Sequence, residues 1–439
     1  MLRSRAAVLP DGSAAAAVAV KDGKIAAVAG YGARLAAARD EDLGGLAMLP
    51  GLVDTHVHVN EPGRTEWEGF ATATRAALAG GVTTICDMPL NSLPPTLDRA
   101  ALAAKRAAAA GQCAVDVAFW GGAVPGNTGD LRELDSGGVT GFKCFLADSG
   151  VPEFPPLDAA GLRAALAGLA GTGSVMAVHA EDPGELSAAA GTDYGTFLAS
   201  RPARSERRAI ETVVAAAAAT GTRAHIVHLS AAECMAMIGG AKAAGVPLTA
   251  ETCPHYLFFA AEEVPAGGTE FKCCPPIRAA VNREALWRGL EAGVLDCVVS
   301  DHSPCPPAMK RQDTGDFGEA WGGIASLQLG LSAVWKVARR RGRSLDDVVR
   351  WMAAGPADLA GLPGKGRIET GRDADLVAFD PGATFLVRGA DLEHRSPLTP
   401  YEGRTLAGAV RQVWLRGQPV SVGGPPMGRL LRRGGEHDD

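Results

Sequence analysis

The sequence predicts an α/β protein in which a (β/α)8 barrel of the TIM type carries a small β-sandwich built from both chain ends. The middle of the chain alternates strand-like apolar runs with alanine-rich helical stretches over roughly 300 residues, as repeated βα units do. Both ends instead resemble β-structure. A doubly wound open sheet is the alternative, but no glycine-rich phosphate fingerprint follows any of the strand-like runs.

Short apolar runs at the two ends predict the strands of the sandwich. Residues 14–29 form two such runs around Asp22-Gly23, which is a hairpin signature. Towards the other end, residues 376–379 are apolar and residues 410–417 alternate between apolar and polar. We expect these segments from both ends to pair with each other.

This pattern divides the chain into two predicted domains. The sandwich takes residues 1–50 together with residues 365–439, and the barrel takes residues 51–364. From about residue 423 the chain is rich in Gly, Pro and charge, which predicts a mobile tail.

Strands and helices alternate within the predicted barrel. The predicted strands include residues 82–88, 175–179, 224–228 and 295–301, and the predicted helices include residues 99–110, 159–170, 206–219 and 232–244. Because catalytic groups of such barrels sit at the carboxyl ends of the strands, polar residues at those ends are the candidates for function.

Composition excludes several classes of partner. The net charge is −6 and aromatic residues are 5% of the chain, so neither nucleic acid nor an anionic membrane is favoured. The alanine-rich stretches are too short and too interrupted to span a membrane, and the N-terminus does not resemble a signal peptide. Nine cysteines without CxxC spacing indicate reduced thiols, so we expect a cytoplasmic protein.

The segment from Asp54 to His58 is the most informative motif. His56 and His58 are spaced i, i+2 on a predicted strand, so both imidazoles project from one face and can bind one divalent metal. Other polar residues fall at later predicted strand ends. Together they predict a two-metal site with these ligands: His56, His58, Lys143, His179, His228 and Asp301.

Lys143 needs a separate argument, because an ammonium is a poor metal ligand. Burial next to two divalent cations would lower the pKa of Lys143. A neutral amine can capture carbon dioxide and become an anionic, bidentate carbamate. We therefore hypothesise that a carboxylated Lys143 bridges two metals.

Three further histidines lie near the predicted site. His225 is three residues before His228, so we expect it to point to the opposite face, towards the covering helices. His302 is next to Asp301 and is expected to point away from it. His255 is interpreted as a strand-end residue outside the metal shell.

Long motifs in the chain resemble the cyclic amidohydrolases, and most closely the allantoinases. The motifs cover nearly the whole chain and occur at residues 51–69, 87–96, 142–154, 251–256, 272–278 and 300–305. The resemblance implies the barrel and sandwich described above, two divalent metals on the six ligands, and a carboxylated Lys143. It also implies hydrolysis of the hydantoin ring amide of allantoin to allantoate, a step in purine-derived ureide breakdown. Relatives commonly form tetramers.

The implied chemistry assigns roles to further residues. A hydroxide bridging two cations would attack the ring carbonyl, and Asp301 would take its proton and deliver it to the departing nitrogen. The candidates for substrate contacts are Asn91, Ser303, Cys274, Gly323 and Ile324. The last two belong to a glycine-rich segment, residues 313–324, that is expected to supply backbone donors or a lid. The ligands accept Zn, Co, Mn or Fe, and zinc is the first choice.

Alternative activities differ at identifiable positions. A dihydroorotase carries an arginine where this chain has Asn60, and Arg64 nearby has no matching role. Hydantoinases and dihydropyrimidinases carry a tyrosine a few residues after the bridging lysine, and residues 145–149 contain none. A non-catalytic scaffold need not keep every metal ligand as this chain does, and a mononuclear deaminase would have no use for Lys143.

Overall fold

The computed structural model describes residues 1–435. The strands are β1 (Leu2–Leu9), β2 (Gly12–Lys21), β3 (Lys24–Gly30), β4 (Glu41–Asp42), β5 (Ala47–Pro50), β6 (Leu52–Val57), β7 (Val82–Asp87), β8 (Asp116–Phe119), β9 (Gly121–Gly122), β10 (Phe142–Phe145), β11 (Val175–His179), β12 (Arg223–Ile226), β13 (Leu248–Thr252), β14 (Cys297–Val298), β15 (Leu376–Leu386), β16 (Thr405–Leu415) and β17 (Gln418–Val420). The α-helices are α1 (Phe70–Ala79), α2 (Arg99–Ala109), α3 (Leu131–Asp135), α4 (Ala159–Gly168), α5 (Tyr194–Ser200), α6 (Ala203–Thr220), α7 (Met235–Ala243), α8 (Pro254–Phe258), α9 (Ala280–Glu291), α10 (Gly330–Arg340), α11 (Leu345–Val349) and α12 (Gly355–Leu359).

The two chain ends form one eight-stranded sheet. Its strand order is β17-β16-β15-β5-β1-β2-β3, and β4 pairs with β1. The predicted hairpin is confirmed, since β2 and β3 pair antiparallel across a turn in which Asp22 and Gly23 both have positive φ. Side chains from Ile25 on β3 to Trp414 on β16 share one buried cluster, so the sheet encloses a small core of its own.

The remaining strands form a closed parallel barrel. Hydrogen bonds join these strands in the orders β6-β7-β8 and β9-β10-β11-β12-β13-β14. Because β8 and β9 are separated by one residue, they count as a single strand of the barrel. The barrel closes where Val57 forms a parallel bridge with His302, and the N–H of His58 donates to the carbonyl of His302 at 2.8 Å. Eight strand positions result, so the predicted fold class is confirmed.

Local capping explains where several barrel helices begin. The side chain of Asp98 accepts from the N–H of Ala101 at the start of α2, and Asp158 does the same for Gly161 at the start of α4. Each capping residue precedes an alanine-rich run whose apolar face packs on the barrel. The predicted helices at residues 99–110 and 159–170 are therefore confirmed to within two residues.

A buried ion cluster connects the sheet to the amino-terminal end of the barrel strands. Lys365 lies 2.5 Å from Asp116 at the start of β8 and 2.7 Å from Asp375 just before β15. Arg416 donates to both oxygens of Asp116 at 2.8 and 2.9 Å. These contacts fix the two parts of the fold to each other. The predicted domain limits, 1–50 with 365–439 and 51–364, stay a prediction.

The tail from about residue 423, whose mobility stays a prediction, makes specific contacts with the barrel. Leu430 bridges to Val117 on β8, the N–H of Leu431 donates to the Val117 carbonyl at 2.8 Å, and the N–H of Arg429 donates to Asp116 at 2.8 Å. Leu431 is buried. Backbone pairing with β8 therefore gives the tail a defined position against the barrel. Residues 436–439 lie outside the described residues.

Within residues 1–435, no helix combines the length and the apolar character that crossing a membrane requires. All the cysteines are free thiols, and only Cys274 is partly exposed.

Replacing the buried tail residue should destabilise the fold. We expect Leu431→Ala to lower the free energy of unfolding by about 2–4 kcal/mol, because it opens a cavity against the barrel. The matched control is Leu386→Ala, since Leu386 is 51% exposed and should change stability little. Urea unfolding followed by circular dichroism measures both. Equal stability of the two variants would mean that the tail does not hold the barrel in solution.

Candidate metal centre

His56, His58 and Asp301 meet where the first and last barrel strands close. The Nε2 atom of His56 lies 3.2 Å from Oδ1 of Asp301, and Nε2 of His58 lies 3.6 Å from the same oxygen. Burial would raise the pKa of Asp301, but His56 and His58 outweigh this and lower it to about 2. Burial lowers the pKa of His58 to about 4. At neutral pH the pair therefore offers an anionic oxygen next to a neutral imidazole, as metal binding requires.

His179 and His228 form the second half of the centre. Nδ1 of His179 lies 3.0 Å from Nε2 of His228, and burial lowers the pKa of both side chains. His228 follows β12 with φ at 38°, and Asp301 follows β14 with φ at 46°. These left-handed conformations end the strand alternation and turn both side chains inward, at a cost in backbone energy that functional sites often carry.

Lys143 lies on β10 with its amine fully buried. Its Nζ atom has no hydrogen-bond partner and lies 4.9 Å from the ring centroid of Phe145, which itself stacks on His179 at 4.6 Å. Burial lowers the pKa of Lys143 to about 8, against the opposing effect of Asp301 and Glu251. An unpaired buried amine costs free energy unless something binds it. The amine of Lys143 is thus free to be modified or to pair with a charged group.

A buried carboxylate fixes the orientation of one histidine in each metal-facing pair. Glu251 on β13 accepts from Nδ1 of His56 at 2.5 Å and from Nε2 of His225 at 2.9 Å. Glu181 accepts from Nε2 of His179 at 2.8 Å. A carboxylate behind an imidazole leaves the opposite ring nitrogen free to bind a metal.

The prediction for His225 is wrong. The barrel register places His225 beside Ala177, and Ala177 beside Lys143, so His225 shares the inward face with Lys143. His225 would point to the opposite face only if the strand alternation continued to His228. The strand ends at Ile226, and the turn at His228 breaks the alternation.

The donor set fits divalent metals. All six predicted ligands line one cavity. Ligand atoms of His56, His228 and Asp301 lie within 4.8 Å of one another, and neighbouring imidazole centroids are 4.7 to 5.5 Å apart. The facing nitrogens of the second histidine pair, and the unpaired amine of Lys143 once it is carboxylated, are the buried groups to which cations would bind.

The cavity above these residues has a volume of about 820 Å³. Asn91, Ser303, Cys274 and Gly323 line it, and their contact with substrate stays a prediction. Ile324 lies behind Ser303 and donates its N–H to the Ser303 hydroxyl at 3.2 Å. Asn91 is buried, and its Oδ1 atom has no partner. It is the candidate with an unused acceptor beside the cavity.

The glycine-rich segment at residues 313–324 forms one cavity wall through residues 317–323. Its expected role as a backbone donor does not hold at the two predicted positions. The N–H of Gly323 donates to the carbonyl of Lys272 at 2.8 Å, and that of Ile324 is taken by Ser303. The amine of Lys310 also donates to the carbonyl of Gly323. These bonds make the segment a fixed wall near its end.

His302 and His255 lie outside the six-residue group. Nδ1 of His302 accepts from the N–H of Ser326 at 3.2 Å, and its Nε2 lies 3.2 Å from Glu68. His302 therefore supports the loop after the last strand. His255 lies in the first turn of the short helix α8, is fully buried and packs against Tyr256 with ring centroids 4.2 Å apart.

The positions that separate the alternative activities are buried or turned away. Asn60 is fully buried, and its Nδ2 atom lies 3.4 Å from the carbonyl of Pro304. Arg64 donates to Glu153 and to the carbonyl of Asn91 at 2.8 Å, so its charge is paired outside the cavity. Phe145 offers a ring but no hydroxyl to the cavity.

A model of the amidohydrolase family matches residues 47–420. The chain belongs to this family. An allantoinase of Streptomyces avermitilis is 55% identical over 440 residues, which cover 99% of this chain and 98% of that protein. An allantoinase of Saccharomyces cerevisiae is 45% identical and covers 89% of this chain and 87% of its own length.

Solved structures show the same fold. An L-hydantoinase (dihydropyrimidinase) from Arthrobacter aurescens has a TM-score of 0.92 at 30% identity, and the match covers 99% of this amidohydrolase and 98% of that chain. A dihydropyrimidinase from Brevibacillus agri has a TM-score of 0.88 at 28% identity over 98% of both chains.

Sequence reasoning missed the carboxylates behind the histidines of this amidohydrolase. Glu251 and Glu181 each lie at or beyond a strand end, and Glu181 is two residues after His179. The spacing of two residues places Glu181 next to the ligand His179, and it is a local signal from which the carboxylate can be predicted. Arg201, which pairs with Glu181, follows α5 and has no local motif that marks it.

The lowered pKa of Lys143 can be measured directly. In metal-free, carbon-dioxide-free protein with ¹³C at lysine Cε, one resonance should titrate with a midpoint near 8, because burial disfavours the ammonium. Below that pH the side chain is an ammonium, and above it a neutral amine that can react with carbon dioxide. Lys143→Arg identifies the resonance by its loss. A midpoint above about 10, the ordinary lysine value, would show that burial does not lower the pKa of Lys143.

Proposed function

We propose that this amidohydrolase hydrolyses the hydantoin ring amide of allantoin and releases allantoate, which is the activity of an allantoinase. The carrying observation is the convergence of four imidazoles, one buried amine and one carboxylate at the carboxyl end of a closed barrel, beneath a single cavity. The two allantoinase relatives, which match this chain over most of its length, support the choice of substrate.

Two divalent metals would be held by the six residues predicted as ligands. His56 and His58 would hold one, His179 and His228 the other, and Asp301 and carboxylated Lys143 would complete the set. Such metals, when bound, lower the pKa of a water molecule and polarise the scissile carbonyl. The ring nitrogens available for this are Nε2 of His56, Nε2 of His58, Nδ1 of His179 and Nε2 of His228.

Asp301 is proposed to move the proton. Its carboxylate is ionised, since His56 and His58 overcome the effect of burial on its pKa, and its side chain is about 10% exposed to the cavity. Asp301 takes a proton from the attacking water as the oxygen adds to the ring carbonyl carbon. It returns that proton to the ring nitrogen as the C–N bond breaks. Water is consumed, and a ureido group and a carboxylic acid result; the acid then releases its proton to solvent and becomes the carboxylate.

Substrate orientation is proposed to rest on Asn91 and Ser303. The unpaired Oδ1 of Asn91 can accept from a ring N–H or from the ureido group. Ser303 lines the cavity and also donates to the carbonyl of Asp301 at 2.9 Å and accepts from the N–H of Ile324. It therefore holds the backbone around Asp301 in place. Cys274 and Gly323 would contribute shape.

The choice among cyclic amides follows from the missing groups. A dihydroorotate carboxylate would need a cation facing the cavity near Asn60, where the structure has a buried amide, and Arg64 is already paired. A hydantoinase-type tyrosine is absent between Phe145 and Ser149. A neutral cyclic ureide such as allantoin needs neither the cation nor the tyrosine, because its own ureido group supplies hydrogen-bond donors.

The proposal also includes the metal, the bridging ligand, the oligomeric state and the location of the protein. Zinc is our first choice of metal, and Co, Mn or Fe would suit the same imidazole and carboxylate ligands. Carboxylated Lys143 is proposed as the bridging ligand. We further propose a homotetramer in the cytoplasm, with a small-molecule substrate as the ligand of the cavity.

A turnover panel tests this proposal. Metal-loaded protein is given allantoin, dihydroorotate, hydantoin and dihydrouracil, and ring opening is followed by loss of ultraviolet absorbance and by product analysis. We expect allantoin to have the highest kcat/KM, because a buried amide stands at Asn60 where dihydroorotate would need a cation, and the tyrosine donor of hydantoinases is absent after Phe145. The control is Asp301→Asn, which should lose activity on every substrate by about 10²–10⁴-fold. Turnover of dihydroorotate but not of allantoin would overturn the assignment.

A further inference from the structure

We infer that Arg201 is a positioning residue which, through Glu181, holds His179 in the form that binds metal and so controls occupancy of one of the two metal positions. The inference rests on the two-metal centre proposed above. It concerns a residue outside the six ligands, and it makes the two positions chemically unequal.

The three residues form a continuous chain of hydrogen bonds. Nε2 of His179 lies 2.8 Å from Oε2 of Glu181. Nε of Arg201 donates to Oε1 of Glu181 at 3.1 Å, and Nη2 of Arg201 donates to Oε2. The Glu181 side chain is fully buried, whereas that of Arg201 is 18% exposed. Arg201 thus occupies both oxygens of Glu181 with the planar fork that suits a carboxylate.

This chain of bonds decides which nitrogen of His179 carries the proton. A carboxylate only accepts, so the hydrogen of the neutral imidazole must reside on Nε2. Nδ1 then has a free lone pair, and it is Nδ1 that faces Nε2 of His228 at 3.0 Å. A ring flip or the other tautomer would point an N–H at the metal position. Glu181 prevents both as long as its own carboxylate is held in place.

Arg201 is what holds Glu181. The guanidinium neutralises a carboxylate that has no access to water, and an unpaired buried carboxylate is costly. The carbonyl of Arg201 accepts from Nη2 of Arg278 at 3.2 Å, which fixes the backbone from which the guanidinium extends. Removing the guanidinium would leave Glu181 to seek other partners and would release His179.

The other metal position has a different support. Glu251 behind His56 is held by Nε2 of His225, and the N–H of His228 donates to it at 3.2 Å. His225 is in turn held by Thr249 at 2.7 Å. These partners reach Glu251 from within the barrel, whereas Glu181 depends on a side chain from the cavity wall. Loss of Arg201 should therefore weaken the His179 position and spare the His56 position.

Metal counting tests the inference. Zinc-loaded wild type, Arg201→Gln and Arg201→Lys are dialysed against a weak chelator, and bound zinc is measured by inductively coupled plasma mass spectrometry. We expect two equivalents in wild type and about one in Arg201→Gln, with roughly 10–100-fold weaker binding at the lost position. Arg201→Lys keeps the cation without the fork and should show intermediate affinity. Cobalt-substituted protein should lose one component of its visible spectrum in Arg201→Gln.

A matched control separates positioning from general stability. Arg416 makes a comparably buried guanidinium–carboxylate pair with Asp116 at the opposite end of the strands. Arg416→Gln should lower stability but keep two zinc ions. If Arg201→Gln does not fold, the zinc affinity of Arg201→Lys decides the matter.

The outcomes are distinguishable. Wild type that binds no zinc would refute the metal centre itself. Two tightly bound ions in wild type and in both Arg201 variants would overturn only the role of Arg201. A raised KM with unchanged metal content and spectrum would also overturn it, since Arg201 would then be a substrate contact.

Discussion

The closure of the barrel between its first and last strands is the constraint on which the rest of the structure depends. The N–H of Ser300 donates to Asp54 at 3.0 Å, and that of His58 donates to the carbonyl of His302. These bonds join segments more than 240 residues apart. Without them His56 and His58 would lose the carboxylate that they share, because Asp301 follows the last strand. The paired chain ends and the ion cluster around Lys365 support this closure from the other end of the barrel.

Burial and charge pairing together set the electrostatics of the centre. Burial lowers the pKa of His58, His179 and His228, whereas His56 and His58 lower that of Asp301, and divalent metals require such neutral imidazoles and an anionic carboxylate. One histidine of each pair, His56 or His179, has a carboxylate behind it, Glu251 or Glu181, which selects its metal-facing nitrogen. Backbone strain contributes as well. The left-handed conformations of Asn91, His228 and Asp301 aim polar side chains at the cavity that a regular strand end would direct elsewhere.

Much of the fold and of the ligand set could be predicted from the sequence, because repeated βα patterns and strand-end polar residues are local signals. His225 shows the limit: its face depends on where β12 ends, and no local pattern marks the turn at His228. Arg201 shows another, since its pairing with Glu181 joins separate elements. The contacts of the tail around Leu431 could not be predicted either, because composition reports solvation tendency and not available backbone partners.

The central claim, that six side chains hold two metals with Lys143 as a bridge, is tested most directly by a crystal structure of the zinc-loaded protein with anomalous diffraction data. The account predicts two anomalous peaks about 3.5–4 Å apart among the six side chains, and density for a carboxyl group on Nζ of Lys143 that contacts both. An unmodified Lys143 directed away from the metals, or a single peak at full zinc loading, would contradict it.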